Sequence, residues 1–246
     1  MDQLDNPVGR VVAVLERGKT LDFANTPVVS GFTTILQAPE AGNLMARLGD
    51  FIRLIEESKA AVRALPEDAE PDYYFQPLKE VDEIVPLILS HLGSGGMSDF
   101  ARFFRDDLIF MLGAASRIVR KHSHSPVLDD QAQADLLATV RGLIDEVSRS
   151  SELSPEAKLY LLKLLRDVEG ALISFHVVGF ESVAASVAAI AAGAIVLDDV
   201  KQRGWLKAQV EKLWGQMISI AHGVSQISAV VNDGVGAIET VNKIIS

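Results

Sequence analysis

"AGNLMARLGDFIRLIEESKAAVRAL", residues Ala41 to Leu65, sets how the rest of the chain is read. Its apolar residues Leu44, Leu48, Phe51, Ile52, Ile55 and Val62 recur at helical spacing, with Arg, Asp, Glu and Lys between them. A half-buried strand would alternate with period two. A spacing of three and four instead draws one apolar stripe along a helix of 3.6 residues per turn. Such a helix has to bury that stripe against other elements.

The same period returns downstream. "EPDYYFQP" (Glu70–Pro77) interrupts it with two prolines, and "LKEVDEIVPLILSHL" (Leu78–Leu92) resumes it, with Pro86 read as a kink or a late helix start. "GSGGM" (Gly93–Met97) is a loop. "SDFARFFRDDLIFMLGAASRIVRK" (Ser98–Lys121) reads as one helix with Ser98 as its N-cap and Phe100, Phe103, Phe104, Leu108, Met111, Leu112, Ala115 and Ile118 on its buried face. "SPVLDDQAQADLLATVRGLIDEVSRS" (Ser125–Ser150) places Leu136, Leu137, Val140, Leu143, Ile144 and Val147 on one side. The next helix opens with Ser154 as cap, Pro155 at its first position and Glu156 after it. "GFESVAASVAAIAAGAIVLDD" (Gly179–Asp199) is apolar nearly all round. Its charge-free part, Ser182 to Leu197, falls short of the roughly 20 residues of a bilayer span, which favours a buried hairpin helix.

The last stretch carries a heptad. Val210, Met217, Val224, Val231, Ile238 and Ile245 form one line, and Leu213, Ile220, Ile227, Gly234 and Val241 the other. This is the seam of a long helix packed in coiled-coil fashion. The flanks differ from those of an isolated zipper: Trp214, Ala221, Val230, Val235, Ala237 and Ile244 stand there, and no formal charge occurs from Leu213 to Asn232. The outer face is small, with Gly215, Ser219, Ser225, Ala229 and Gly236. Three readings follow: the central helix of the chain's own bundle, an oligomerisation helix, or a helix that enters a membrane after a conformational change.

The N-terminal residues lack this clarity. "GRVVAVL" (Gly9–Leu15) fits a short strand or a first helical turn, and "TLDFANTPVVSGFTTILQAP" (Thr20–Pro39) shows no evident helical face. The expected organisation is an irregular segment over residues 1–38 lying on a single helical bundle over 39–246. That all-α bundle has seven or eight helices, its hydrophobic C-terminal helices spanning 177–246.

Composition narrows function. Apolar residues make up 48% of the 246, enough for a sizeable core. The net charge of −10 disfavours nucleic acid as partner, because phosphate neutralisation needs clustered cations. The basic run Arg117–His124 is read as a helix C-terminus. The absence of cysteine excludes disulfides, zinc–thiolate sites and cysteine nucleophiles, and fits the cytoplasm. The first ten residues carry two acids and no long apolar run, so no secretory signal is expected.

Ala13 to Thr20, "AVLERGKT", matches the pattern of a phosphate-binding loop, and "AIVLDD" (Ala194–Asp199) resembles its magnesium-holding partner. Such a loop needs a strand before it and a helix after it. Here "VLER" holds no glycine and Pro27 follows closely, so Lys19 is read as a solvated turn residue and nucleotide binding as a remote alternative. His122 and His124 lack further ligands to complete a metal site. Asp129 and Asp130 sit where they would cap a helix. Asp106 and Asp107 fall mid-helix, at least one facing solvent or pairing with Arg102 or Arg105. No catalytic residue, cofactor or metal ligand is expected.

"LSPEAKLYLLKLLRDVEGALISFHVVGFESVAASVAAIAAGAIV" (Leu153–Val196) carries Leu161, Leu164, Leu165, Val168, Glu169, Ala171, Leu172, Phe175, Val177, Gly179 and Val183 in a recognisable order. It resembles a recurring segment of uncharacterised bacterial helical proteins, several associated with mobile elements and phage-defence loci. The resemblance implies a bacterial or phage source and a binding or conflict role. The expected function is a non-enzymatic interaction or regulatory protein that associates with itself or a protein partner through its C-terminal helices. The alternative is a membrane-active, pore-forming or toxic effector that releases those helices. The expected location is cytoplasmic, with membrane association under the alternative.

Overall fold

The computed structural model describes residues 6–38, 43–93, 95–122, 128–196, 213 and 215, the side chains of 191–196 apart. The described residues are all-α: α1 Pro7–Gly18, α2 Val28–Ile35, α3 Leu44–Arg63, α4 Pro71–Asp82, α5 Ile84–His91, α6 Asp106–His122, α7 Asp130–Arg149, α8 Pro155–Ile173 and α9 Phe175–Val196. Short 3₁₀ segments cover Glu67–Ala69 and Met97–Phe104. A lone antiparallel bridge joins Pro27 to Gly96.

The N-terminal segment is not irregular. Asn6 caps α1, its Oδ1 accepting from Gly9 N at 3.0 Å, and Pro7 takes the first position, where a missing N–H goes unnoticed. Val8, Val11, Val12, Val14 and Leu15 are at most 1% exposed, so burial on several sides overrides the weak helix propensity of valine. The stretch "GRVVAVL" is less than two helical turns long and its one charged residue, Arg10, is itself buried, which is why it read ambiguously. In α2 the buried set is Val28, Gly31, Phe32 and Ile35, a helical face once glycine is counted as part of it. A Cβ on Gly31 would lie 2.6 Å from Met97 Cγ.

The prolines of "EPDYYFQP" do not break the chain as expected. Pro71 starts α4, and Pro77 lies inside that helix, buried. The reading of Ser98–Lys121 as one helix is also corrected. Its first part is 3₁₀, Arg105 turns extended (φ −79°, ψ 150°), and α6 begins at Asp106. Along α3 the buried face holds Leu54, while Ile52 is 42% exposed.

Where one bundle was expected over 39–246, the chain divides into two compact units. The first is Met1–His124 together with His176–Gly179; the second is Ser125–Phe175 together with Phe180–Ser246. In the first, α1 packs against both α3 and α6, and α3 against α4. Phe32 and Phe100 meet edge to face in its core at 5.0 Å. The buried Lys59 of α3 reaches Glu56 (2.8 Å) and Asp82 of α4 (2.6 Å). Burial works against its charge, yet the hydrogen bonds to the two carboxylates hold its pKa above the ordinary lysine value.

In the second unit α7 packs on α8. Leu136, Val140, Leu143 and Val147 share a core with Leu161, Leu165, Val168 and Leu172, as their spacing predicts. Asp129 caps α7 by accepting from Ala132 N (2.7 Å), and Ser154 caps α8 by accepting from Ala157 N (3.2 Å). From α9, Phe180, Val183, Val187 and Ile190 join this core. Gly179 interrupts α9 with φ 73° and ψ 179°. Among the described residues no helix is long and apolar enough to cross a membrane.

Two glycines of the first unit should respond oppositely to alanine. Gly49, on α3, has open space around it, so Gly49→Ala should stabilise by up to about 1 kcal/mol. Gly179→Ala would force a positive φ on a side chain and set a Cβ 2.6 Å from the Arg10 guanidinium, costing on the order of 1–3 kcal/mol or more. Thermal melts of the two variants check the pair of signs.

Candidate functional site: a cationic cluster on the first helix

The sequence-derived candidates fare unevenly. Residues 13–18 of "AVLERGKT" are the C-terminal turns of α1, their N–H groups directed along the helix. Lys19 pairs with Asp106, and Thr20 Oγ1 donates to Arg17 O (2.8 Å). A phosphate loop presents its N–H groups at a helix start, so this stretch is not one. Asp199 of its supposed partner lies outside the described residues. Asp106 and Asp107 form the first turn of α6, where carboxylates favour the helix dipole, and Asp107 pairs with Arg105 at 2.8 Å. His122 ends α6, and His124 lies outside the described residues. Among the described residues no group of three or more metal-ligating side chains converges.

Of the seam, Leu213 is fully buried in the second unit's core. Val210, Met217, Ile220, Val224, Ile227, Val231, Ile238, Val241 and Ile245 lie outside the described residues.

The polar feature that sequence reasoning missed sits on α1. Arg10 and Arg17, seven positions apart, fall on one side of a helix whose other charged residue is the exposed Glu16. Arg10 is 2% exposed and its Nη2 donates to Glu57 Oε2 at 3.0 Å. Gly179 lies against the Arg10 guanidinium so closely that no side chain fits there. Three residues earlier, the Nε2 of His176 is buried without a hydrogen-bond partner among the described residues. Arg17 is half-buried and its Nη1 donates to Ile35 O at 2.7 Å. Arg47 of α3 donates to Asp50 at 3.3 Å.

These charges act on one another. Burial lowers the Arg17 pKa to about 10. Burial first, then the positive charges of Arg17 and Arg47, push His176 down to about 3, so its ring is neutral near pH 7. The available signal in the sequence was a pair of arginines inside a valine-rich run and a single histidine opening another apolar run.

A second constellation brings Ser90, His91 and Asp99 together. His91 Nε2 lies 3.3 Å from Asp99 Oδ2, and Ser90 Oγ lies 2.9 Å from His91 Nδ1. The Leu87 carbonyl, however, is 2.9 Å from that Nδ1 and 2.8 Å from Ser90 Oγ. A carbonyl only accepts, so the ring nitrogen and the hydroxyl both donate to it. Nδ1 is then not placed to take a proton from Ser90, as a nucleophile's base must. The arrangement ends α5 and ties it to the 3₁₀ segment. Beside it runs an open groove of about 460 Å³, lined mainly by the Ala24–Val29 and Leu92–Gly96 stretches. Among the described residues that line it, none has an ionisable side chain.

Comparison with protein-family models, with curated proteins and with solved structures finds no match to this chain.

His176 gives a pH prediction. Its folded pKa of about 3 lies below the unfolded value of 6.5. Between these values the unfolded chain binds a proton that the folded chain does not, so stability is lost as pH falls through that window. The slope for one full proton is on the order of 1.4 kcal/mol per pH unit. Melting temperatures measured from pH 7 down to about 5, above the range where carboxylates titrate, should fall for the wild type and fall less for His176→Gln. Equal slopes would disprove the assignment. Lys19→Ala, which removes an exposed ion pair, should change stability by less than about 1 kcal/mol.

Proposed function

We propose that the chain is a non-enzymatic helical interaction or regulatory protein that associates with itself or a protein partner through its hydrophobic C-terminal helices. The observation that carries this reading is the heptad line from Val210 to Ile245, uncharged from Leu213 to Asn232. The burial of Leu213 in the second unit's core supports the seam as a packing surface. Further support comes from large apolar side chains on helix surfaces, Leu159 (74% exposed) and Tyr160 on α8 among them. The likeness of residues 153–196 to phage-defence and mobile-element proteins favours a bacterial conflict system as the setting and the cytoplasm as the location.

The membrane-active effector is the second reading, favoured by the uncharged run of twenty residues from Leu213 to Asn232. Light scattering on the eluting full-length protein, paired with a liposome-leakage assay, separates the two. Ile227→Asp would bury an unpaired carboxylate in a packed seam, at several kcal/mol against a total stability of about 5–15 kcal/mol. It should split the oligomer or unfold the chain, whereas Ser225→Asp on the outer face should change stability by well under 1 kcal/mol. Equal, small effects of both, with leakage by the wild type, would favour the effector.

A further inference from the structure

We propose that His91 and Asp99 form a proton-sensitive clamp on the loop that faces the Ala24–Val29 stretch across the groove, tightening when His91 gains its second ring proton. The starting point is the set of atoms around the imidazole. Nδ1 lies 2.9 Å from the Leu87 carbonyl and 2.9 Å from Ser90 Oγ, and Nε2 lies 3.3 Å from Asp99 Oδ2. The Ser90 hydroxyl donates to the Leu87 carbonyl at 2.8 Å, so it meets the ring as an acceptor. A carbonyl and a carboxylate accept and never donate.

A neutral imidazole has one N–H and cannot serve both ends. With the proton on Nδ1, the Nε2 lone pair faces the carboxylate. With the proton on Nε2, the Nδ1 lone pair faces the Leu87 carbonyl. The imidazolium alone donates from both nitrogens, and its charge then meets that of Asp99. Among the described residues Asp99 is the one carboxylate within ion-pair distance of His91. On the same 3₁₀ segment Arg102 is held by Glu83 at 3.3 Å, and Phe100 meets the His91 ring edge to face at 5.8 Å. The end of α4 that leads into α5 carries Lys79, Glu80 and Asp82, engaged with Phe75, Arg105 and Lys59. Neither α2 nor the described groove lining carries an ionisable side chain.

The clamp reaches the groove through Gly95. Its N–H donates to the His91 carbonyl at 3.0 Å, and a Cβ there would lie 2.5 Å from His91 Cβ and 2.7 Å from Cδ2, so the loop rests directly on the histidine. Gly95 O accepts from Val28 N at 3.1 Å, and Met97 N donates to Thr26 O at 2.9 Å, which ties the loop to the opposite wall. Thr26, Val28 and Gly95 all line the groove. His91 precedes the loop and Asp99 follows it, so their contact restrains both of its ends. The clamped form binds one more proton than the open form, and clamping therefore strengthens as pH falls. With His91 29% and Asp99 55% exposed, the effect is that of a partly solvated pair.

Amide hydrogen exchange on the full chain tests the clamp at the two N–H groups that bond across the groove, those of Val28 and Met97. Their protection factors, corrected for the intrinsic pH dependence of exchange, are compared at about pH 8 and about pH 5.5, on either side of the histidine range. The wild type should gain about two- to fivefold in protection over His91→Gln and Asp99→Asn, which share every other titrating group with it. Should a variant fail to fold, the ring-nitrogen resonances of His91 in the wild type still report. They should pass from the neutral to the doubly protonated positions over the same pH interval in which protection rises. An equal gain in either variant, or a protonated ring without any rise in protection at Val28 and Met97, would overturn the proposal.

Discussion

Arg10 reaches into the core of the first unit from the helix at its centre, and the packing around it has to accommodate a permanent charge. Glu57 of α3 supplies the opposite charge at 3.0 Å, and Gly179 supplies the room. Neither is optional. Removing the carboxylate would take a counter-charge from a buried cation, at a cost of several kcal/mol, and any side chain at 179 would occupy the space of the guanidinium. Gly179 has its positive φ at the same contact, where the chain passes close to Arg10. The break in α9 thus lies at this contact, within residues 176–179, which belong to the first unit.

The rest of that unit follows a simpler rule. Several of its buried polar groups have partners close in space. Asn6 caps α1 through Oδ1 and donates from Nδ2 to Ser116 Oγ at 3.1 Å, and Lys59 bridges to α4. Surface charges pair in short arrays, such as Arg105 with Glu80 and Asp107. Such exposed pairs add little stability.

Amphipathic elements were legible in the sequence and uniformly buried ones were not. Of the face read for α7, Leu136, Val140, Leu143 and Val147 are buried and Leu137 and Ile144 flank them half-buried, and the caps at Asp129 and Ser154 are as read. These helices have one dry side and one wet side, which writes a 3.6-residue period into the letters. In α1 the valines are buried together with Arg10, so a charged residue does not mark a wet side, and α2 hides its face behind Gly31. The split at Arg105 depends on one extended backbone angle that any residue can adopt. The cluster of Arg10, Arg17, Arg47 and His176 depends on tertiary proximity, and no local spacing announces that His176 lies near α1.

The discontinuity of the first unit has a practical side. A fragment ending near residue 124 would contain every helix from α1 to α6 and still lack Val177, which is 1% exposed in that unit's core. The missing piece is small and its slot is already shaped by Arg10. Such a fragment would behave as a receptor for its own absent segment, and a short peptide bearing the His176–Gly179 sequence, added in trans, would be the natural reagent with which to complete it.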